Sequence, residues 1–69
     1  MATLTERMLE LRTRNKLKQE EAAALSGIAY RSYRRYESGE REPTASTLIA
    51  LADFYGVSVD YLLGRSDIQ

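Results

Sequence analysis

The sequence predicts an all-α domain, a compact bundle of five short helices, and three observations carry that reading. Apolar residues recur at helical spacing along the chain, with no stretch of strand-like alternation. Hydroxyl side chains and glycines fall where helices would begin and end. There is no cysteine, so the core of a 69-residue chain must come from helix packing, without disulfides or thiolate metal sites.

The first helix opens in "TLTERMLELRTRN", where Thr3 stands three residues before Glu6, the reciprocal capping pattern of a helix start. Leu4, Met8 and Leu11 follow at i, i+4 and i+7 and form one apolar stripe. "KLKQEEAAALSG" begins a second helix near Gln19, with Glu20 and Glu21 at its positive end and Gly27 as its stop. The third helix spans about 30–37 and ends at Gly39. "GEREPTAS" is a polar loop holding the only proline, and Thr44 caps a fourth helix with Leu48, Leu51, Ala52 and Tyr55 on its inner face. Gly56 stops that helix. Ser58 caps a short fifth one, to which Val59, Leu62 and Leu63 bring apolar contacts before Gly64 ends it. Residues 1–64 make one domain, and "RSDIQ", 65–69, reads as a short tail.

Lysine plus arginine balances aspartate plus glutamate at ten each, but the charge is unevenly spread. Between Arg12 and Arg41 lie eight basic and four acidic residues, a local +4 that the remainder of the chain offsets. A charge footprint depends on where charge clusters, so neutrality does not exclude a polyanion partner. No apolar run approaches the roughly 18 residues of a membrane span, and no signal peptide opens the chain, so a cytoplasmic protein with no membrane partner is expected.

The densest basic stretch is "YRSYRRYE", residues 30–37. At about 100° per residue, Ser32, Tyr33 and Tyr36 fall on one side of a helix, and Tyr30, Arg31, Arg34 and Arg35 on the other. Such a helix is either a solvated basic face over two core tyrosines or a face made for an anion. No acidic residue precedes these arginines at i−4 to pair with them. Counted from Gln19, Ala23 is fifth and Gly27 ninth: a small residue where two helices approach, then a residue suited to the tight turn between them. That is the helix-turn-helix pattern, whose second helix enters the DNA major groove.

"LKQEEAAALSGIAYRSYRRYESGEREPTASTLIALADFYGVSVDYLLG" resembles the phage repressor/Cro family, also called the XRE family, over nearly the whole chain from about Leu4 to Gly64. Its most specific elements are Gln19 opening helix two, "YESG" closing helix three, Pro43 with Thr44, and "GVSVDYLLG". The resemblance implies a lambda repressor-like DNA-binding domain. It implies that Tyr30, Arg31 and Arg35 face base edges and that Gln19 and Ser38 touch the DNA backbone; Lys18, Arg34 and Arg41 are assigned to the backbone with them. Glu37 matches a glutamate that pairs with an arginine of helix one, here Arg12. The family binds operators as dimers, so a homodimer, at least on DNA, is expected, with Val59 and Tyr61 on the exposed side of the last helix as its contact. The alternative for Val59 is packing on helix one. Three positions depart from the family: Tyr33 replaces a usual aliphatic residue, and Lys18 and Ala29 stand where capping side chains are common.

The function implied is a sequence-specific transcriptional regulator, a repressor holding a pseudo-palindromic operator of double-stranded DNA. The alternative is an interaction module of the same fold whose arginine face binds an acidic protein. Catalysis is not expected. Histidine and cysteine are absent, so the usual nucleophile–base pairs are missing. No metal, cofactor or small-molecule ligand is expected either.

Overall fold

The computed structural model describes residues 2–69, and among them it holds five α-helices and no strand. They are α1 (Leu4–Arg14), α2 (Gln19–Ser26), α3 (Tyr30–Ser38), α4 (Ala45–Tyr55) and α5 (Val59–Leu62). Each begins where the sequence places it; α3 runs one residue longer than expected, to Ser38. At α1 the Thr3 hydroxyl accepts the Glu6 N–H at 3.3 Å while the Glu6 carboxylate accepts the Thr3 N–H at 3.1 Å. Thr44 and Ser58 accept the N–H groups of Thr47 and Tyr61 in the same way. Ala29 supplies no side-chain cap, and at α2 the Glu21 carboxylate instead takes the Lys18 N–H at 2.9 Å.

All five helices contribute to one core, in which Met8, Leu11, Ala22, Tyr33, Leu51 and Leu62 lose essentially all contact with solvent. Tyr33, the largest of them, occupies the position where the family usually has an aliphatic residue. Its extra length is used: the ring stays in the core and the hydroxyl reaches Tyr55 of α4, with which it shares a hydrogen bond. A buried hydroxyl without a partner would cost about 1–3 kcal/mol, so the two tyrosines make each other admissible.

One expectation is corrected near the chain's end. Tyr61 does not lie on an exposed face; it is 2% exposed, with its ring under the Arg7 guanidinium at 3.8 Å and its hydroxyl donating to Glu10. An aromatic ring gains more by filling the α1–α5 seam, where both its face and its hydroxyl find partners, than by facing water. The short tail, residues 65–69, carries no helix and is tied back to the bundle. Arg7 donates to Asp67 at 2.9 Å, the Ser58 N–H to the Gln69 carbonyl at 3.0 Å, and Arg14 to the Gln69 side chain at 3.0 Å. The turn between α1 and α2 holds a feature with no sequence marker: Lys16 takes the left-handed conformation, φ 57°. The Asn15 side chain and the Leu17 N–H satisfy α1 carbonyls around it.

The tyrosine pair makes stability depend on alkaline pH. Burial pushes the Tyr33 phenol far above its ordinary range, and the Tyr55 hydroxyl adds to the effect; burial raises Tyr55 also. In the unfolded chain both ionise near pH 10, whereas the fold keeps them neutral. The native state therefore binds more protons than the unfolded one above that pH. Stability is fully present below about pH 10 and falls as pH rises further, by up to about 1.4 kcal/mol per pH unit for the buried Tyr33 and by less for the half-buried Tyr55. Urea melts between pH 8 and 11 should show this decline, and Tyr33→Phe should flatten it.

Candidate nucleic-acid interface

The interface is built on an ion pair beneath it. Arg12 of α1 meets Glu37 of α3 side-on, Nε donating to Oε2 at 2.9 Å and Nη2 to Oε1 at 2.8 Å. The remaining Arg12 nitrogen donates to the Leu17 carbonyl at 2.9 Å. The side chains are only 16% and 7% exposed, and the bond to Glu37 lifts the Arg12 guanidinium above its ordinary value. Both groups are thus charged, paired and hydrogen-bonded, the condition under which burial of ions is tolerated. Gln19, the first residue of α2, donates its amide to the same Glu37 oxygen at 3.2 Å. One carboxylate therefore fixes α1, α2 and α3 to one another.

The α2–α3 turn sets the angle at which α3 is presented. Gly27 takes φ 77°, and the chain reverses so that the Ile28 N–H reaches the Ala23 carbonyl at 3.0 Å. Ala23 is buried, its small side chain lying where α2 meets the bundle. On α3 the expected division holds. Tyr33 and Tyr36 are buried and Ser32 is half-buried, while Tyr30, Arg31, Arg34 and Arg35 are exposed. The Arg34 guanidinium lies over the Tyr30 ring at 5.4 Å, a cation–π contact.

A cleft of about 380 Å³ lies along this face, lined by Gln19, Arg31, Arg34, Arg35, Ser38 and Glu40. It unites five of the residues expected to contact DNA. Three others lie outside its lining: Lys18 precedes Gln19 and is exposed, Tyr30 is the platform under Arg34, and Arg41 lines a neighbouring groove beside Pro43 and Leu48. Among the described residues, Arg31, Arg34 and Arg35 have no carboxylate partner, whereas Arg7, Arg12 and Arg14 of α1 are all in ion pairs. The excess positive charge of the sequence thus becomes free charge on α3. Glu40 is the lining residue that sequence reasoning did not assign to the site. Its signal was its place just after Gly39: with Gly39 at φ 84°, the Glu40 N–H folds back onto the Arg35 carbonyl at 3.0 Å.

Two helices joined through a glycine turn, the second offering unpaired guanidinium groups from a fixed scaffold, define a helix-turn-helix domain. A family model described as helix-turn-helix matches residues 8–62, and the chain belongs to that family. It is 44% identical over 62 residues to the HTH-type transcriptional regulator YobD of Bacillus subtilis, covering 90% of this chain and 55% of that protein. To the cryptic phage CTXphi transcriptional repressor RstR of Vibrio cholerae serotype O1 it is 39% identical over 62 residues, again 90% of this chain and 55% of the other. The P22 c2 repressor, solved in complex with a synthetic operator, superimposes with a TM-score of 0.85 at 27% identity, over 96% of this chain and 100% of that one. The chain spans about half the length of the curated relatives it matches.

The ion pair is testable by itself. Glu37→Gln leaves one acceptor for Arg12 but strands a buried guanidinium without its counter-charge, and should cost about 3 kcal/mol of folding stability. Chemical denaturation measures this directly; a change below roughly 1 kcal/mol would mean that the pair behaves as an exposed one.

Proposed function

We propose that this chain is the sequence-specific DNA-binding unit of a transcriptional regulator, acting in the cytoplasm as a repressor on a pseudo-palindromic operator. The observation that carries the proposal is the cleft on α3, where three guanidinium groups without acidic partners converge with Gln19 and Ser38. The P22 c2 repressor, bound to its operator, has the same fold, which supports the same use here.

In this reading α3 enters the major groove. Arg31 and Arg35 each donate two hydrogen bonds to O6 and N7 of a guanine, and Tyr30 lies against a thymine methyl. Lys18, Gln19, Arg34, Ser38 and Arg41 hold phosphates and set the register without reading sequence. Gln19 suits that role, since one amide N–H is committed to Glu37 and the other remains for a phosphate oxygen.

The protomer measures 27 × 23 × 18 Å, small enough to cover one half-site, and a second copy on a half-site about 34 Å away would complete a pseudo-palindrome. A homodimer on DNA is the assembly this reading proposes. Of the two residues expected at its contact, half-buried Val59 keeps that proposed role, while Tyr61 loses it because the domain's own core covers it.

Selection from a random duplex library should yield half-sites with guanines under Arg31 and Arg35. Arg31→Ala and Arg35→Ala should each flatten preference at one base pair, by about 1–3 kcal/mol, whereas Lys18→Ala should weaken all sequences alike. Affinity should fall with salt at a log–log slope of about −0.9 per phosphate neutralised. A salt-insensitive affinity would sink the DNA reading, and a uniform loss in the two arginine variants would make those residues backbone contacts.

A further inference from the structure

Glu40 is out of place on this surface. It lines the cleft with Arg31, Arg34 and Arg35, yet its carboxylate makes no hydrogen bond or ion pair among the described residues. Only its backbone is engaged, the N–H reaching the Arg35 carbonyl and the Ser38 hydroxyl. The side chain therefore does nothing for the fold, and a negative charge in a phosphate-facing cleft weakens binding to any polyanion.

We infer that Glu40 is a specificity-determining residue, one that suppresses docking on DNA of arbitrary sequence more than docking on the matched operator. The inference rests on the DNA-binding reading and depends on what the arginines bind. On a mismatched duplex, Arg31 and Arg35 have no guanine edge to take and turn to phosphates, which brings an anion into the cleft beside Glu40. On the matched site they donate to O6 and N7 of guanine, which carry no charge, so the only phosphates near the cleft are those held by Gln19, Arg34 and Ser38, which both complexes share. The carboxylate therefore repels the first arrangement, which adds phosphates at Arg31 and Arg35, more than the second. Non-specific binding is almost wholly phosphate attraction, so the repulsion falls on the competing mode. Specificity is a difference of affinities, and weakening the wrong complex raises it as effectively as strengthening the right one.

The test compares Glu40→Gln with the wild-type protein on two duplexes, the selected operator and a random sequence. Asp53→Asn, which makes the same charge change on α4 outside the cleft, serves as the control. Glu40→Gln should bind random duplex about two- to fivefold more tightly at low salt, the order set by one unit charge near a phosphate in water. Operator affinity should change less, so the ratio of specific to non-specific binding falls. The gain should fade toward 1 M salt, where the screening length is about 3 Å. The inference is overturned by an unchanged ratio, by an equal effect of Asp53→Asn, or by a change confined to one base pair. That last outcome would make Glu40 a reader of cytosine N4. Wild-type protein that binds neither duplex would instead overturn the DNA reading, and it is observed before any variant is compared.

Discussion

The buried pair between Arg12 and Glu37 is the constraint on which the rest of this domain depends. It links α1 to the last turn of α3, and Gln19 joins the same carboxylate from α2. The α2–α3 turn alone fixes only one end of the recognition helix, through Gly27 and the Ile28 N–H. At the other end Tyr36 packs into the core, and the bond at Glu37 adds direction to that packing. A 69-residue chain has little apolar area to spend on rigidity, and a buried ion pair supplies direction where packing alone supplies only attraction. The pair also lies directly behind the cleft, because Gln19 belongs to both. Geometry at the surface is thus inherited from an interaction inside it.

The tyrosines show a second use of polar groups in a small core. Tyr33 and Tyr55 share a hydrogen bond, and Tyr61 lies between Arg7 and Glu10. Each ring contributes a large apolar surface while its hydroxyl is met by a group on a different helix. Tyr33 ties α3 to α4, and Tyr61 ties α5 to α1. With the Arg12–Glu37 pair these contacts form a chain of directional bonds through the bundle, which favours a single packing over several near-equivalent ones.

The fold was legible in the sequence where local chemistry decides it. Thr3, Thr44 and Ser58 cap helices because a hydroxyl at that place satisfies an otherwise orphaned N–H. The helical wheel of 30–37 divided core from surface correctly because two tyrosines on one side leave α3 little choice of face. What escaped were features set by tertiary partners. The family resemblance puts Tyr61 on an exposed face, and nothing local corrects it: the wheel of a four-residue helix gives no direction, and Arg7 and Glu10, which bury it, are more than fifty positions away. The return of residues 65–69 depends likewise on Arg7 and Arg14, far off in sequence. Lys16 left no trace because its turn is imposed by the closure of α1 onto α2, not by its own preference. Of the residues lining the cleft, Arg31, Arg34 and Arg35 were legible as the outer face of the helical wheel, Gln19 and Ser38 came only through the family resemblance, and Glu40 was seen only as a loop glutamate.

The distribution of partners resolves the apparent contradiction of a neutral chain with a basic face. Pairing, not composition, decides which charges act at a distance. The α1 arginines are neutralised by Glu10, Glu37 and Asp67, so they serve the fold and contribute little field beyond it. The α3 arginines have no such partners, so their charge is available to whatever approaches. A neutral chain with free charge on one face also has an advantage that a uniformly basic one lacks. Most of its acidic residues lie off α3, so attraction to a polyanion is strongest around that helix. Net charge near zero then measures not indifference to a polyanion but the concentration of unpaired positive charge around α3.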